Sequence, residues 1–448
     1  MDFEIEKILS ICISFLFVFN IFFFKKLTEE WIHPSVLINT LWSLYFIIPQ
    51  IIILNHNINP ISIIYVYFCV TIFSVSAMIF NWRNAYNFFR NNKSNDLFKS
   101  FNSKLLIKIS ILISSLSILF TAKLLINNGL DFFSESGLLI ASGQLIAMKA
   151  NEGFSYGFLG ILSTTFTYSA AILCGIAYQK NSNKKIGLIM LLFGFAPAFF
   201  SVIAQSSKLS FLLSFLFFVS GALAVRMHSN NSNSFKFKSI VKIVVSILIA
   251  FPAIIFSFLS RGQFSNFDDI QVILDFLVYA MKSYSLGQVY AFSDFFSYYI
   301  GHSSQSEYIV ETSTYGAYSF NSILNLFGYS KEFPPGKYEE SLSLPYILET
   351  NIFTLFRDLI TDFGLIGTAI FFTILGFCIN FLFYKFLYHK NSVLLFLIFI
   401  GFFVFIGMSY LYSVFVARYM ISVLLITFLI LKINLFFFKF NKQFSVTK

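Results

Sequence analysis

The run FGLIGTAIFFTILGFCINFLFY, residues Phe363–Tyr384, is 22 residues long and contains no charged side chain. A helix needs about 20 such residues to cross the hydrocarbon core of a bilayer, so this run reads as a membrane span. Similar runs precede it at Ile8–Phe24, Ser35–Leu54, Ile61–Phe80, Ile109–Ile126, Gly157–Tyr178, Ile186–Ala204, Leu209–Val225 and Ile243–Ser260, and follow it at Val393–Tyr412 and Tyr419–Phe438. Between Ile243–Ser260 and Phe363–Tyr384 lies a segment of roughly a hundred residues, Arg261–Asp362, with no run long enough to span. The expected architecture is an all-α polytopic membrane protein of about eleven transmembrane helices. Residues 1–260 form an N-terminal bundle, 261–362 a large loop and 363–448 a C-terminal bundle.

Composition agrees. Of the 448 residues, 57% are hydrophobic and 12% charged, with a mean hydropathy of +0.77. Soluble domains carry about 25% charged residues; this chain has too little polar surface for water and takes lipid as its solvent. The net charge of +10 does not point to nucleic acid, because the cations sit in short loops between apolar runs. Cys12, Cys69, Cys174 and Cys378 all lie inside such runs, so they imply packing and no disulfide framework. The many Phe residues are read as lipid-facing or interhelical packing.

Orientation follows from Lys and Arg. Alternate loops and the C-terminal tail hold Lys25, Lys26, Arg83, Arg90, Lys93, Lys99, Lys104, Lys108, Lys180, Lys184, Lys185, Arg226, Lys236, Lys238, Lys242, Lys385, Lys390, Lys439, Lys442 and Lys448. The intervening short segments hold only Lys7, Lys123, Lys149, Lys208 and Arg418. The positive-inside rule then predicts an N-terminus outside and a C-terminus inside. Asp2, Glu4 and Glu6 before the first run, with Lys25 and Lys26 after it, are the reverse of a secretory signal and predict an uncleaved first helix. The large loop is therefore extracytoplasmic, with a helix expected near Gln271–Met281 and a turn at Pro334-Pro335-Gly336.

No nucleotide-binding loop, dinucleotide glycine pattern or nucleophile elbow occurs. The five His residues are scattered and no Asp-x-Asp is present, so neither metal nor cofactor is expected. What does stand out is a set of charges at the outer lip of the bundle. Lys208 lies in the turn Gln205-Ser206-Ser207-Lys208, Arg261 ends the eighth span, Arg357, Asp358 and Asp362 lead into the ninth, and Arg418 opens the eleventh. Any one of these cations could snorkel to lipid headgroups, and Arg357 could pair with Asp358 or Asp362, which share a helix face at i and i+4. Together they form a candidate anion site, for which guanidinium suits phosphate oxygens.

The stretch Asn351-Ile352-Phe353-Thr354, Arg357-Asp358 and Thr361-Asp362-Phe363-Gly364-Leu365-Ile366-Gly367 resembles the Asp-Phe-Gly segment of the oligosaccharide repeat unit polymerases, the Wzy-type O-antigen polymerases. Gly376, the segment Tyr410–Tyr419 and the turn Ser206-Ser207-Lys208 are also similar, although that turn more often carries Arg. The resemblance implies a GT-C-like fold and a metal-independent glycosyltransferase in the bacterial inner membrane. It would transfer a glycan growing on undecaprenyl diphosphate to a newly flipped lipid-linked repeat unit, with the bilayer, a flippase and a chain-length regulator as its setting. A sugar hydroxyl attacks the donor anomeric carbon and undecaprenyl diphosphate leaves. Lys208, Arg261, Arg357 and Arg418 would hold the diphosphate; Asp358, Asp362 or His302 would take the proton. The competing readings are a flippase or transporter for the same glycan, the related O-antigen ligase, and a non-catalytic protein whose cations bind lipid.

Overall fold

The computed structural model describes residues 3–91, 97–129, 157–205, 207–228, 270–302, 304–308, 314–328, 337–345, 347–389, 391–417 and 419–446. The expected span Ile243–Ser260, Arg261, Arg418, the Pro334-Pro335-Gly336 turn and most of Asn127–Tyr156, a second outer loop by the same charge alternation, lie outside the described residues. Among the described residues, nine helices are long and apolar enough to cross a membrane. The chain is a multi-pass, all-α membrane protein.

Two compact units are interleaved along the chain. The first comprises Met1–Asn92, Leu274–His389 and Phe402–Arg418. It contains α1 (Phe3–Thr28), α2 (Pro34–Ile52), α3 (Pro60–Val75) and the short α4 (Trp82–Asn91). The second comprises Lys93–Ile273, Lys390–Gly401 and Tyr419–Lys448. To it belong α5 (Ser103–Asn127), α6 (Gly157–Lys180), α7 (Lys184–Gln205) and α8 (Lys208–His228). Next in the chain are α9 (Ile270–Tyr299), almost wholly in the first unit, and α10 (Asn321–Leu326). A hairpin of β1 (Lys337–Leu344) and β2 (Leu348–Ile352) leads into α11 (Leu355–Tyr388), followed by α12 (Val393–Met408) and α13 (Tyr419–Val446).

Helix starts are written in the sequence. Pro34 and Pro60 occupy the first helical positions of α2 and α3, where a missing N–H costs nothing. His33 Nδ1 accepts from Ser35 N at 3.2 Å and Asn59 Oδ1 from Ile61 N at 2.9 Å, capping both ends. Lys7 is not a stray outer cation: its ammonium donates to the carbonyls of Ile53 (2.9 Å), Leu54 and His56 (3.3 Å). It thereby caps the negative end of α2.

Within the first unit, side-chain amides tie the helices together. Asn20 donates to Thr71 at 2.8 Å, Gln50 to Ser14 at 2.9 Å and Asn39 to Ser74 at 2.8 Å. Asn380 of α11 donates to Ser76 at 2.8 Å and accepts from Ser35 at 3.3 Å. The second unit relies on small residues, as helices in lipid do. A Cβ on Gly175 would lie 2.2 Å from the Phe218 carbonyl oxygen, and one on Gly221 2.7 Å from that of Ile172, so α6 and α8 touch backbone to backbone.

Several boundaries differ from the sequence reading: the helix expected at Gln271–Met281 runs over Ile270–Tyr299, and two further differences bear on the site. The helix expected from Phe363 begins eight residues earlier, at Leu355, and is broken at Gly364 (φ 67°, ψ −177°). The run Val393–Tyr412 is helical only to Met408. Beyond that point Ser409 O accepts from Leu355 N at 2.9 Å and Ser413 N donates to Asp358 at 3.0 Å. The chain leaves its own helix there to complete the start of α11.

Candidate functional site

The site is built around the first three turns of α11, upstream of the Gly364 kink. Arg357, Asp358 and Asp362 all lie in these turns, and all three are buried. The i and i+4 spacing does put the two acids on one face, but neither is the ion-pair partner of Arg357. That partner is Glu340 of β1, whose Oε2 lies 3.1 Å from Arg357 Nη2.

Glu340 reaches Arg357 because the hairpin is irregular. Lys337 pairs with Ile352 and Leu342 with Thr350, so five steps along β1 answer two along β2. The extra residues form a bulge carrying Tyr338 and Glu340, and bulges re-aim side chains in this way. Leu342, Leu344 and Leu348 are buried on the other side of the bulge and anchor the hairpin.

Aromatic rings close the remaining sides of the guanidinium. Its carbon lies 3.5 Å from the ring centre of Tyr338, 3.8 Å from Phe353, 4.8 Å from Phe295 and 5.1 Å from Tyr308. A desolvated cation over such faces gains up to about 2 kcal/mol per favourable contact. Hydrogen bonding is incomplete, however. Arg357 Nε and Nη1 are buried without an acceptor, as is the hydroxyl of Thr354, which precedes the helix. Arg357 itself is 1% exposed.

Three carboxylates hold the box together. Asp358 accepts from the Tyr338 hydroxyl at 2.6 Å and from Ser413 N at 3.0 Å, fixing the ring that covers Arg357. Burial, then the neighbouring Asp358 charge, push the Tyr338 phenol well above its ordinary pKa, so it stays a donor. Asp362 accepts from Thr314 Oγ1 at 2.5 Å, Tyr318 N at 3.1 Å and Ser319 N at 2.7 Å. It thereby holds the turn that stacks Tyr318 on Tyr338, with ring centres 5.5 Å apart. Asp294 of α9 does the same for Tyr308, accepting from its hydroxyl and from Gln305 N, both at 2.8 Å, and from Ser306 N at 3.2 Å.

The Asp-Phe-Gly residues therefore have separable tasks. Asp362 clamps a loop, Phe363 packs against Phe320 with ring centres 6.3 Å apart, and Gly364 makes the kink. Tyr65 of α3 donates to the Leu365 carbonyl at 2.8 Å, just past the break. The chain matches no protein-family model, no curated protein and no solved structure.

Of the other residues singled out by sequence, Lys208 opens α8 in the second unit, half-buried beside Ser207 and Ser210, whose hydroxyls are 2.8 Å apart. His302 is exposed in the turn that ends α9, its amide donating to Ser297 O at 2.8 Å. Among the described residues no three His, Cys, Asp or Glu side chains come together. Glu340, Tyr338 and Asp294 were not foreseen. The alternation Leu342-Ser343-Leu344 before a turn is the signal that could have found the hairpin.

Proposed function

We propose that this chain is a glycosyltransferase of the bacterial cytoplasmic membrane, with about eleven spans in a GT-C-like bundle. Its reaction is transfer of a growing undecaprenyl-diphosphate-linked glycan to a new lipid-linked repeat unit at the extracytoplasmic face. One observation carries the reading: the buried Arg357 guanidinium, with Nε and Nη1 lacking acceptors, at the start of the helix that bears the Asp-Phe-Gly segment. An under-satisfied cation at a helix N-terminus suits the phosphate oxygens of a leaving group.

In this mechanism a sugar hydroxyl attacks the anomeric carbon as the carbon–oxygen bond to undecaprenyl diphosphate breaks. The diphosphate departs as an anion and needs no general acid. Arg357 stabilises the charge that builds on it, and Arg261, Arg418 and Lys208 are the further cations to test for the same role. Asp358 and Asp362 already accept through both oxygens from donors on β1 and on neighbouring loops, which favours a positioning role for them. His302 is exposed, so it is the first of the three candidates to test as proton acceptor.

The test is surface-glycan profiling of a chromosomal Arg357→Ala strain, with polymerisation by purified protein alongside. Removing one such electrostatic donor costs about a hundred- to a thousandfold in rate, so the strain should display single repeat units while the protein inserts at normal abundance. Arg357→Lys should rescue only in part, since Lys offers a point charge where a planar fork is wanted. Turnover should survive a chelator. Long-chain glycan of normal length from Arg357→Ala would remove the reading.

A further inference from the structure

The Arg357 box is shut in this structure. A carboxylate, the nearest protein equivalent of a phosphate oxygen pair, sits at 3.1 Å from Nη2. Two further guanidinium nitrogens and the Thr354 hydroxyl remain without acceptors in the same buried place. Glu340 satisfies one edge of the cation and leaves the rest of its donor set unused. It also rides on a bulge, a stretch of β1 that departs from regular pairing with β2, whereas the leucines on either side of the hairpin turn are buried. The part of the hairpin least held by the ladder is the part that seals the site.

We infer that Glu340 is a resident stand-in for the substrate diphosphate, which displaces it and so lifts the β1 bulge from Arg357. This deepens the proposed function and rests on it. One anion replaces another of higher charge, and the phosphate groups bring the extra acceptor oxygens that Nε, Nη1 and Thr354 lack. Tyr338 leaves Arg357 with the bulge, because both residues are on it, while Asp358 holds its place through Ser413 N. The rings of Phe295 and Phe353 stay as walls. An empty site is thereby closed to small anions and water, and it opens only to a ligand that offers more than a carboxylate does.

The experiment uses the full chain in phosphatidylcholine nanodiscs and radiolabelled farnesyl diphosphate as probe. If the closed box is populated about nine-tenths of the time, abolishing the competitor raises apparent affinity about tenfold. Glu340→Gln, which keeps the shape and an acceptor oxygen, should therefore bind the probe about tenfold more tightly than wild type. Equal or weaker binding by the folded variant overturns the inference. Because Glu340→Gln leaves Arg357 without its counter-ion and could fail to fold, a second arm keeps the native Glu340. Ser306 Oγ donates to Ser341 O at 3.2 Å, so Ser306→Cys with Ser341→Cys, in a background free of other cysteines, ties the β1 bulge to the segment that follows α9. Probe binding should be lost on oxidation and return on reduction; undiminished binding by the oxidised protein overturns the lid. Adding phosphatidylglycerol to the nanodiscs distinguishes a lipid headgroup from a diphosphate. Competition by that headgroup as effective as by unlabelled farnesyl diphosphate refutes the assignment. Wild-type polymerisation without tighter Glu340→Gln binding removes the gate alone, and gated binding without polymerisation removes the polymerase reading alone.

Discussion

Gly364→Ala isolates the kink that holds the site. Residue 364 has φ 67° and ψ −177°, a region essentially reserved for glycine and costing other residues about 1–3 kcal/mol. Space is not the obstacle: an added Cβ meets only the Tyr299 hydroxyl oxygen, at an ordinary 3.6 Å. The penalty is therefore conformational, and the variant should lose about 1–3 kcal/mol of stability. Gly187→Ala supplies the opposite sign. That glycine is helical, and its Cβ would rest 3.5 Å from the Tyr178 ring. Alanine there should stabilise by roughly 0.5–1 kcal/mol, because the unfolded chain loses freedom. Detergent-to-urea unfolding of both purified variants, followed by tryptophan fluorescence, reads the two changes against wild type. A straightened α11 would also swing the upstream turns, with Arg357 and Asp362 on them, relative to the span that follows, so the proposed polymerisation should fall with stability. If Gly364→Ala unfolds within about 0.5 kcal/mol of wild type, the scatter of a neutral substitution, the kink is dispensable and the argument fails.

Other perturbations test separate parts of the structure. Gly376→Ala would place a Cβ 2.4 Å from the Phe73 carbonyl oxygen of α3; backbone cannot yield there, so overpacking should cost about 1–3 kcal/mol in the same unfolding assay. Asp362→Asn sets an NH2 group against the amides of Tyr318 and Ser319, and the lost acceptor should cost about 1–3 kcal/mol, seen as faster hydrogen exchange over residues 314–320 with the rest unchanged. For topology, single cysteines at Gln305 and Glu339, both exposed, should react with an impermeant maleimide in intact spheroplasts. Cysteines at Asn95 and Ser232 should react only after lysis, and the reverse pattern would invert the orientation.

Much of the membrane fold is legible because lipid imposes length and apolarity on each span, and Pro34 and Pro60 announce where α2 and α3 begin. The start of α11 was harder to read. Arg357, Asp358 and Asp362 look like a polar loop in sequence, and only burial against Tyr338, Tyr318 and Ser413 lets them be helical. The acids were legible as a same-face pair but not as clamps, because their donors lie 20 to 55 residues away, on β1 and on loops. The counter-ion of Arg357 was illegible for a plainer reason. Glu340 and Glu339 are adjacent and chemically alike, and only the bulge decides that the first turns in while the second faces out.

The interleaving of the first unit sets a schedule for its synthesis. Its opening helices end at Asn92, yet its last segment ends at Arg418, so α1–α3 wait for roughly 15–60 s at about 5–20 residues per second. During that interval their amide donors are already served from within: Asn20 by Thr71, Asn39 by Ser35 O and Ser74, and Gln50 by Phe46 O and Ser14. The early triplet can rest in lipid without exposing a bare amide donor. Asn380 arrives late, with its hydrogen-bonding partners Ser35, Phe73 O and Ser76 already made. A defect at Asn39 should thus strand the nascent chain before α11 exists, whereas a defect at Asn380 should leave a finished chain whose first unit never latches.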